Sequence, residues 1–290
     1  MLKISDAQIK EYQDNGFIIV DKIIEPEEVD LLLSRFEKVF YGEYETGLDP
    51  DEVNWKHGRD DEKLTRQICN GWKADRYVAS VILQPAIGEA CARLGGWRGT
   101  RITQDNLLWK PPGGRPIGFH QDSSYEEFIT PNEWVSCWIA LDNTTAAGGT
   151  VEYVTGSHLW HKTGKIKQFH GPDDPHEDLR QAVERMKKGD FETVKVEVPA
   201  GGGTFHSGWI WHGSDVNKMD VPRRTVVAHC MSADSTFNPN PAAINRTYSR
   251  YKKFGRLDME ETDFPILWTK EGYASPFIEP YSARQLGWAE

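Results

Sequence analysis

From Thr100 to Met231 the chain breaks into short stretches of period-two alternation, each closed by glycine or proline. Successive side chains on a strand face opposite ways, so this rhythm demands sheets with two distinct faces. In Thr103–Lys110, the side chains of Gln104, Asn106, Leu108 and Lys110 share one face, and Pro111-Pro112-Gly113-Gly114 then turns the chain. Trp134–Asp142 is a second strand, with Trp134, Ser136, Trp138 and Ala140 together. Gly148-Gly149 leads into Thr150–Val154 and the turn Thr155–His158; strand character returns at Val194–Val198, Thr204–Gly213 and Thr225–Met231. With helices first and strands after, the expectation is a mainly β protein with flanking helices, a sandwich or barrel.

The helical flank covers about 1–95. Ser5 caps a helix running to about Asn15, Gly16 ends it, and Phe17–Val20 reads as a buried strand. Pro26-Glu27-Glu28 opens a second helix whose Val29, Leu32, Leu33, Phe36 and Phe40 recur at helical spacing. Residues 41–75 are polar and aperiodic and read as a long loop, which in a compact domain often serves as a lid or binding element. Ala74–Leu94 reads as helix, stopped by Gly95-Gly96. Residues 160–192 read as an insertion between strands, with a helix around Leu179–Lys188. No linker divides the 290 residues, so one domain is expected: the flank, a barrel over about 100–232, and a C-terminal wrap over 233–290.

Composition narrows the partners. A formal charge of −10 argues against nucleic acid or an anionic membrane surface. No 18-residue apolar run and no leader-like N-terminus are present, and Cys69, Cys91, Cys137 and Cys230 are scattered. We therefore expect a cytoplasmic protein with reduced thiols and no membrane contact. Its many tryptophans are compatible with a homodimer but do not show one.

The chemistry gathers around Arg115–Tyr125. His120 and Asp122 lie two apart in a strand-like context, and on one strand face they would offer two legs of a chelate. A third ligand must come from elsewhere; His212 is the best candidate, and His206, at the same parity, is its rival. Two histidines and a carboxylate on one face of an iron leave positions open for substrates, the arrangement of non-haem Fe(II) oxygenases.

The ordered set His120-Gln-Asp122, Trp138-Ile-Ala-Leu-Asp, Gly148-Gly-Thr, Thr155-Gly-Ser-His158, His212-Gly-Ser214-x-x-Asn217 and Arg223 resembles the phytanoyl-CoA dioxygenase-like family. The likeness runs from about Gln104 to Cys230, and Ile4–Ile24 is similar to the family's opening. It implies a double-stranded β-helix, a jelly-roll or cupin-like barrel. It also implies Fe(II) held by His120, Asp122 and His212, with 2-oxoglutarate and O₂ as cosubstrates. Arg223 would grip the distal carboxylate of 2-oxoglutarate, a pairing suited to a planar guanidinium, with Ser214 assisting and Trp138 and Asn106 lining the same pocket. Asn217 would brace the turn after His212. Relatives that halogenate lack the carboxylate ligand; Asp122 therefore implies hydroxylation of an aliphatic C–H in a small molecule, a polar metabolite or natural-product intermediate, with release of succinate and CO₂. Gln104, Tyr125, Trp72, Asn70 and Arg66 are the candidates for substrate contact. Two rivals stand beside this reading. A cupin-type metal enzyme not using 2-oxoglutarate would lack an arginine such as Arg223, and a non-catalytic ligand-binding relative would have a broken ligand set.

Overall fold

The computed structural model describes residues 2–160 and 162–278. The Ser5 hydroxyl accepts the Gln8 amide hydrogen while the Gln8 side chain returns to the Ser5 amide. This reciprocal cap starts α1 (Asp6–Asn15), which ends at Gly16 with φ 84° before β1 (Phe17–Val20). α2 (Pro26–Phe40) carries proline in its first turn and buries Val29, Leu32, Phe36, Val39 and Phe40.

Two expectations for this flank need correction. Residues 41–75 are in part sheet: β2 (Glu52–Val53) pairs with β3 (Arg66–Cys69), and β3 pairs with β4 (Gly99–Lys110). Polarity hid the strand because its charged residue, Arg66, is buried between the rings of Trp55 and Trp109, 3.8 and 4.3 Å from their centroids. The helix expected over Ala74–Leu94 is two, α4 (Arg76–Ile82) and α5 (Pro85–Gly95), preceded by a short α3 (Gly71–Ala74). The Asp75 carboxylate accepts the Tyr77 and Val78 amide hydrogens and so starts α4 anew, and Pro85, which cannot sit mid-helix, begins α5.

The remaining elements are β5 (Ile117–His120), β6 (Ile129–Thr130), β7 (Val135–Ala140), β8 (Val151–Val154), α6 (Glu177–Arg185), β9 (Thr193–Lys195), β10 (Gly203–Ser207), β11 (His212–Ser214), β12 (Arg223–Ser232), β13 (Thr236–Phe237) and β14 (Ile266–Thr269). They form an eight-stranded antiparallel sheet in the order β1-β10-β7-β12-β4-β3-β2, with β14 also on β4. A four-stranded antiparallel sheet runs β5-β11-β8-β9, and β13 pairs with β6 alone. The sheets do not close on one another through hydrogen bonds. Thr204–Gly213, expected as one strand, is two: residues 208–211 turn, and β10 and β11 lie in different sheets. Of the expected C-terminal wrap, β14 pairs onto β4 of the large sheet and β13 onto the short β6, and residues 279–290 lie outside the described residues.

Period two sorts the large sheet's faces. Cys137, Ile139, Phe205, Val226 and Ala228 pack against the helices in one core with Leu32, Phe36, Val78 and Ile82. Each valine, leucine, isoleucine or phenylalanine among them contributes about 1.5–3 kcal/mol by leaving water. The opposite face puts Trp138, Ala140 and Val227 against Tyr153, Val151 and Ile210 of the small-sheet side. The polar residues interleaved on that inner face build the site. Among the described residues no helix is long and apolar enough to cross a membrane. All four cysteines are buried and free.

Candidate active site

β5 and β11 are neighbours in the small sheet, and their register sets His120 directly opposite His212, with ring centroids 4.3 Å apart. Each Nδ1 lies against a backbone carbonyl two residues back, His120 at 2.8 Å from Gly118 O and His212 at 3.1 Å from Ile210 O. A carbonyl only accepts, so both Nδ1 atoms carry the proton and both Nε2 lone pairs face the cavity, the tautomer a metal ligand needs. β5 ends at His120, and Asp122 opens a 3-10 turn (Asp122–Tyr125) instead of continuing the strand as expected. The turn still brings Asp122 Oδ1 within 3.2 Å of His120 Nε2 and 3.6 Å of His212 Nε2. These three side chains form a cluster that could hold a metal ion.

The other carboxylate oxygen has its own surroundings. His206, Ser136 and His229 sit side by side on β10, β7 and β12, in one row of the large sheet. Asp122 Oδ2 is 3.4 Å from both His206 Nε2 and Ser136 Oγ, and 3.7 Å from His229 Nδ1. Asn106 Nδ2 lies 2.9 Å from His229 Nε2, and His229 Nδ1 lies 2.7 Å from Ser136 Oγ. The donors therefore run one way, from the Asn106 amide through the His229 ring and the Ser136 hydroxyl to Asp122. Tyr153 OH lies 2.9 Å from His206 Nδ1 and leaves Nε2 turned to Asp122.

Charge follows from this packing. Burial alone would raise the Asp122 carboxyl, but the His212, His120 and His206 rings packed around it outweigh that and hold it well below the usual range. Burial pushes His212 down to about 3 and His229 down to about 4. Near neutral pH the cluster thus offers the Asp122 carboxylate and a neutral His212 imidazole; two histidines and a carboxylate are a donor set that fits Fe(II).

The cluster opens into a narrow cavity of about 80 Å³ that Arg223, Ser214 and Trp138 also line. Arg223 is buried; among the described residues its guanidinium reaches only Thr225 Oγ1 at 3.3 Å and Gly149 O at 3.2 Å, and Nε has no partner. Burial pushes it down to about 10, so it remains charged, a buried cation that no carboxylate partners among the described residues. Gly149 (φ +64°) lets its own segment lie against the chain after β11, since a Cβ there would meet Asp215 O at 2.5 Å. Arg224 faces away and is paired bidentately with Asp142 at 2.7 and 3.1 Å. Lys110, which the sequence placed on the inner face without a role, stands opposite Arg223 in register. Its ammonium donates to Ser214 Oγ at 2.8 Å and to the Asp215 carbonyl, which leaves the serine proton free for a ligand. Asn217 Nδ2 donates to Pro111 O at 3.0 Å and to Val221 O at 2.8 Å, bracing the turn after β11.

A larger cavity of about 570 Å³ adjoins the first, sharing Gln67, Asn106, Asp122 and Phe169. Gln104 and Tyr125 line it, where the expected substrate pocket would lie. Trp72, Asn70 and Arg66 do not line either cavity. Asn70 takes a left-handed φ of 58° and accepts from Trp72 Nε1 at 3.1 Å, so the pair braces the chain behind β4. Phe169, from the insertion, packs on His120 with ring centroids 4.4 Å apart. Ser136, His229, Lys110, Gln67 and Phe169 had gone unassigned; for the first three, inner-face parity was the available signal.

The model of the family described as "Phytanoyl-CoA dioxygenase (PhyH)" matches residues 12–225. A probable alpha-ketoglutarate-dependent hypophosphite dioxygenase of Stutzerimonas stutzeri is 23% identical over 79% of this chain and 79% of its own. The peroxisomal phytanoyl-CoA dioxygenase of Homo sapiens is 24% identical over 78% of this chain and 68% of its own. The solved structure of the epimerase SnoN, in complex with Fe3+, alpha ketoglutarate and nogalamycin RO, superposes with a TM-score of 0.68 at 19% identity, covering 90% of this chain and 97% of that one. The chain belongs to the phytanoyl-CoA dioxygenase family, a family of 2-oxoglutarate-dependent non-haem iron dioxygenases.

Proposed function

We propose that the protein hydroxylates an aliphatic C–H of a small molecule, using Fe(II) held by His120, Asp122 and His212 and 2-oxoglutarate held at its far carboxylate by Arg223. The observation that carries this reading is that a His-His-Asp cluster and a buried arginine without a carboxylate partner among the described residues line one cavity. When bound, iron with 2-oxoglutarate and O₂ supplies the oxidising chemistry, with succinate and CO₂ as co-products.

The chain's own residues select and orient. Arg223 offers two donors to a carboxylate, and Ser214, its oxygen occupied by Lys110, donates a third. Trp138 and Asn106 wall the cosubstrate cavity. The Asn106–His229–Ser136 chain directs one Asp122 oxygen away from the metal position and leaves the other for it. Gln104 and Tyr125 belong to the substrate side, and Phe169 helps exclude water. The two antiparallel sheets are read as halves of a double-stranded β-helix. The described chain is read as one oxygenase domain, supported by a core that runs from Ile4 to Ile278.

Protein reconstituted with Fe(II) in air should convert 2-oxoglutarate to succinate, slowly without a primary substrate, and Asp122→Ala should stop it. An iron-loaded protein that leaves 2-oxoglutarate unchanged over hours would overturn the reading.

A further inference from the structure

Glu126 immediately follows the turn that carries Asp122, and its side chain lines the larger cavity. It is only 4% exposed, its carboxylate oxygens make no hydrogen bond among the described residues, and Oε2 is wholly enclosed. Burial pushes its pKa well above the usual carboxylate range, and the Asp122 charge adds to the rise. A buried carboxyl without partners is costly, and folding alone gives no reason for it. Two donors on the same wall are also without partners, Trp134 Nε1 and the Tyr248 hydroxyl.

The other acids of this cavity are committed. Glu52 accepts the Thr247 hydroxyl at 2.9 Å, and Asp122 is held by the histidines and, on the reading above, by iron. The cations that line the cavity, Lys165 and Arg246, are exposed at its rim. Among the described residues that line the cavity, Glu126 is thus the buried acid left without a partner, and an ammonium brought in from outside would supply one.

We propose that the substrate is an amine whose ammonium seats on Glu126 in the larger cavity, which sets a neighbouring carbon toward His120, Asp122 and His212. The site of oxidation rests on the iron assignment; the ammonium site does not.

The test uses Fe(II)-loaded protein with 2-oxoglutarate under nitrogen, dialysed to equilibrium against pairs of compounds that differ only in ammonium or hydroxyl. Benzylamine with benzyl alcohol and 1,4-diaminobutane with 1,4-butanediol are the probes. In at least one pair the amine should be retained at least tenfold more strongly. Glu126→Gln, an isosteric change, should bring that pair to parity, and Lys165→Met should keep or enlarge the preference. Absence of preference in every pair, or a preference that survives Glu126→Gln, overturns the proposal. Retention of 2-oxoglutarate itself, measured in the same vessels, reports on the oxygenase reading separately: loss of 2-oxoglutarate with the amine preference intact would remove that reading and leave the ammonium site standing.

Discussion

Ser136 and His229 touch no position a metal would occupy, yet they decide which way Asp122 faces. Removing partners that orient a ligand typically costs 10- to 100-fold in metal affinity. Ser136→Ala should therefore weaken Fe(II) binding by roughly that factor while the fold persists, as read by equilibrium dialysis and circular dichroism. Unchanged affinity would show that the hydroxyl does not position the carboxylate. A second buried acid gives a pH signature. Asp105 accepts the Trp72 amide hydrogen at 3.0 Å, and burial pushes it up to about 7. A carboxyl raised in the folded state contributes full stability below its unfolded value and loses it as pH rises toward the folded value. The stabilisation of Asp105→Asn over the parent should thus be near zero at pH 4 and grow up to pH 7, by at most about 1.4 kcal/mol per unit, in urea melts at each pH. A pH-independent difference would contradict the shift. At this scale the sequence was most legible where spacing is diagnostic: His120, Asp122, His212 and Arg223 meet one cavity. Trp72, Asn70 and Arg66 were less legible, because a polar or aromatic residue looks alike whether it lines a pocket or braces a strand from behind.

Among elements, the inner faces of β10, β7, β12 and β4 stack the site in rows. His206, Ser136, His229 and Gln104 form one, and Thr204, Trp138, Val227 and Asn106 the next. Period-two patterning makes such rows readable for each strand, but not which strands are neighbours, since that depends on pairing distant in sequence. The same limit hid the break between β10 and β11, where one apolar run serves two sheets. That break matters to the site. The Ser123 amide donates to Gly208 O at 2.9 Å, tying the turn that carries Asp122 to the β10–β11 connection. A Cβ at Gly208 would meet Ser123 Oγ at 2.4 Å and Trp134 Cβ at 2.8 Å. Gly208→Ala should shift that turn and lower Fe(II) affinity about tenfold or more, with the melting transition still cooperative. Wild-type affinity in a folded Gly208→Ala protein would show that the contact relaxes elsewhere.

For the whole molecule, helices cover one face of the large sheet and leave the other to face the small sheet across the site. The mainly β architecture with a helical flank was readable from the order of patterns. The part played by residues 160–192 was not, because Phe169 and Lys165 sit in an aperiodic, polar segment and reach the cavity through tertiary contacts alone. A ligand that binds only the folded state raises its stability, by about 2.7 kcal/mol at a hundred times its dissociation constant. 2-Oxoglutarate should accordingly raise the melting temperature of the Fe(II)-loaded protein by several degrees, and Arg223→Ala should abolish the rise. The most direct measurement is anaerobic: Fe(II)-loaded protein titrated with 2-oxoglutarate while visible absorbance is recorded. A weak, saturable metal-to-ligand charge-transfer band should grow in, and be lost in both His212→Ala and Arg223→Ala. A flat spectrum with iron independently verified as bound would contradict the pairing of metal cluster and arginine on which the account stands.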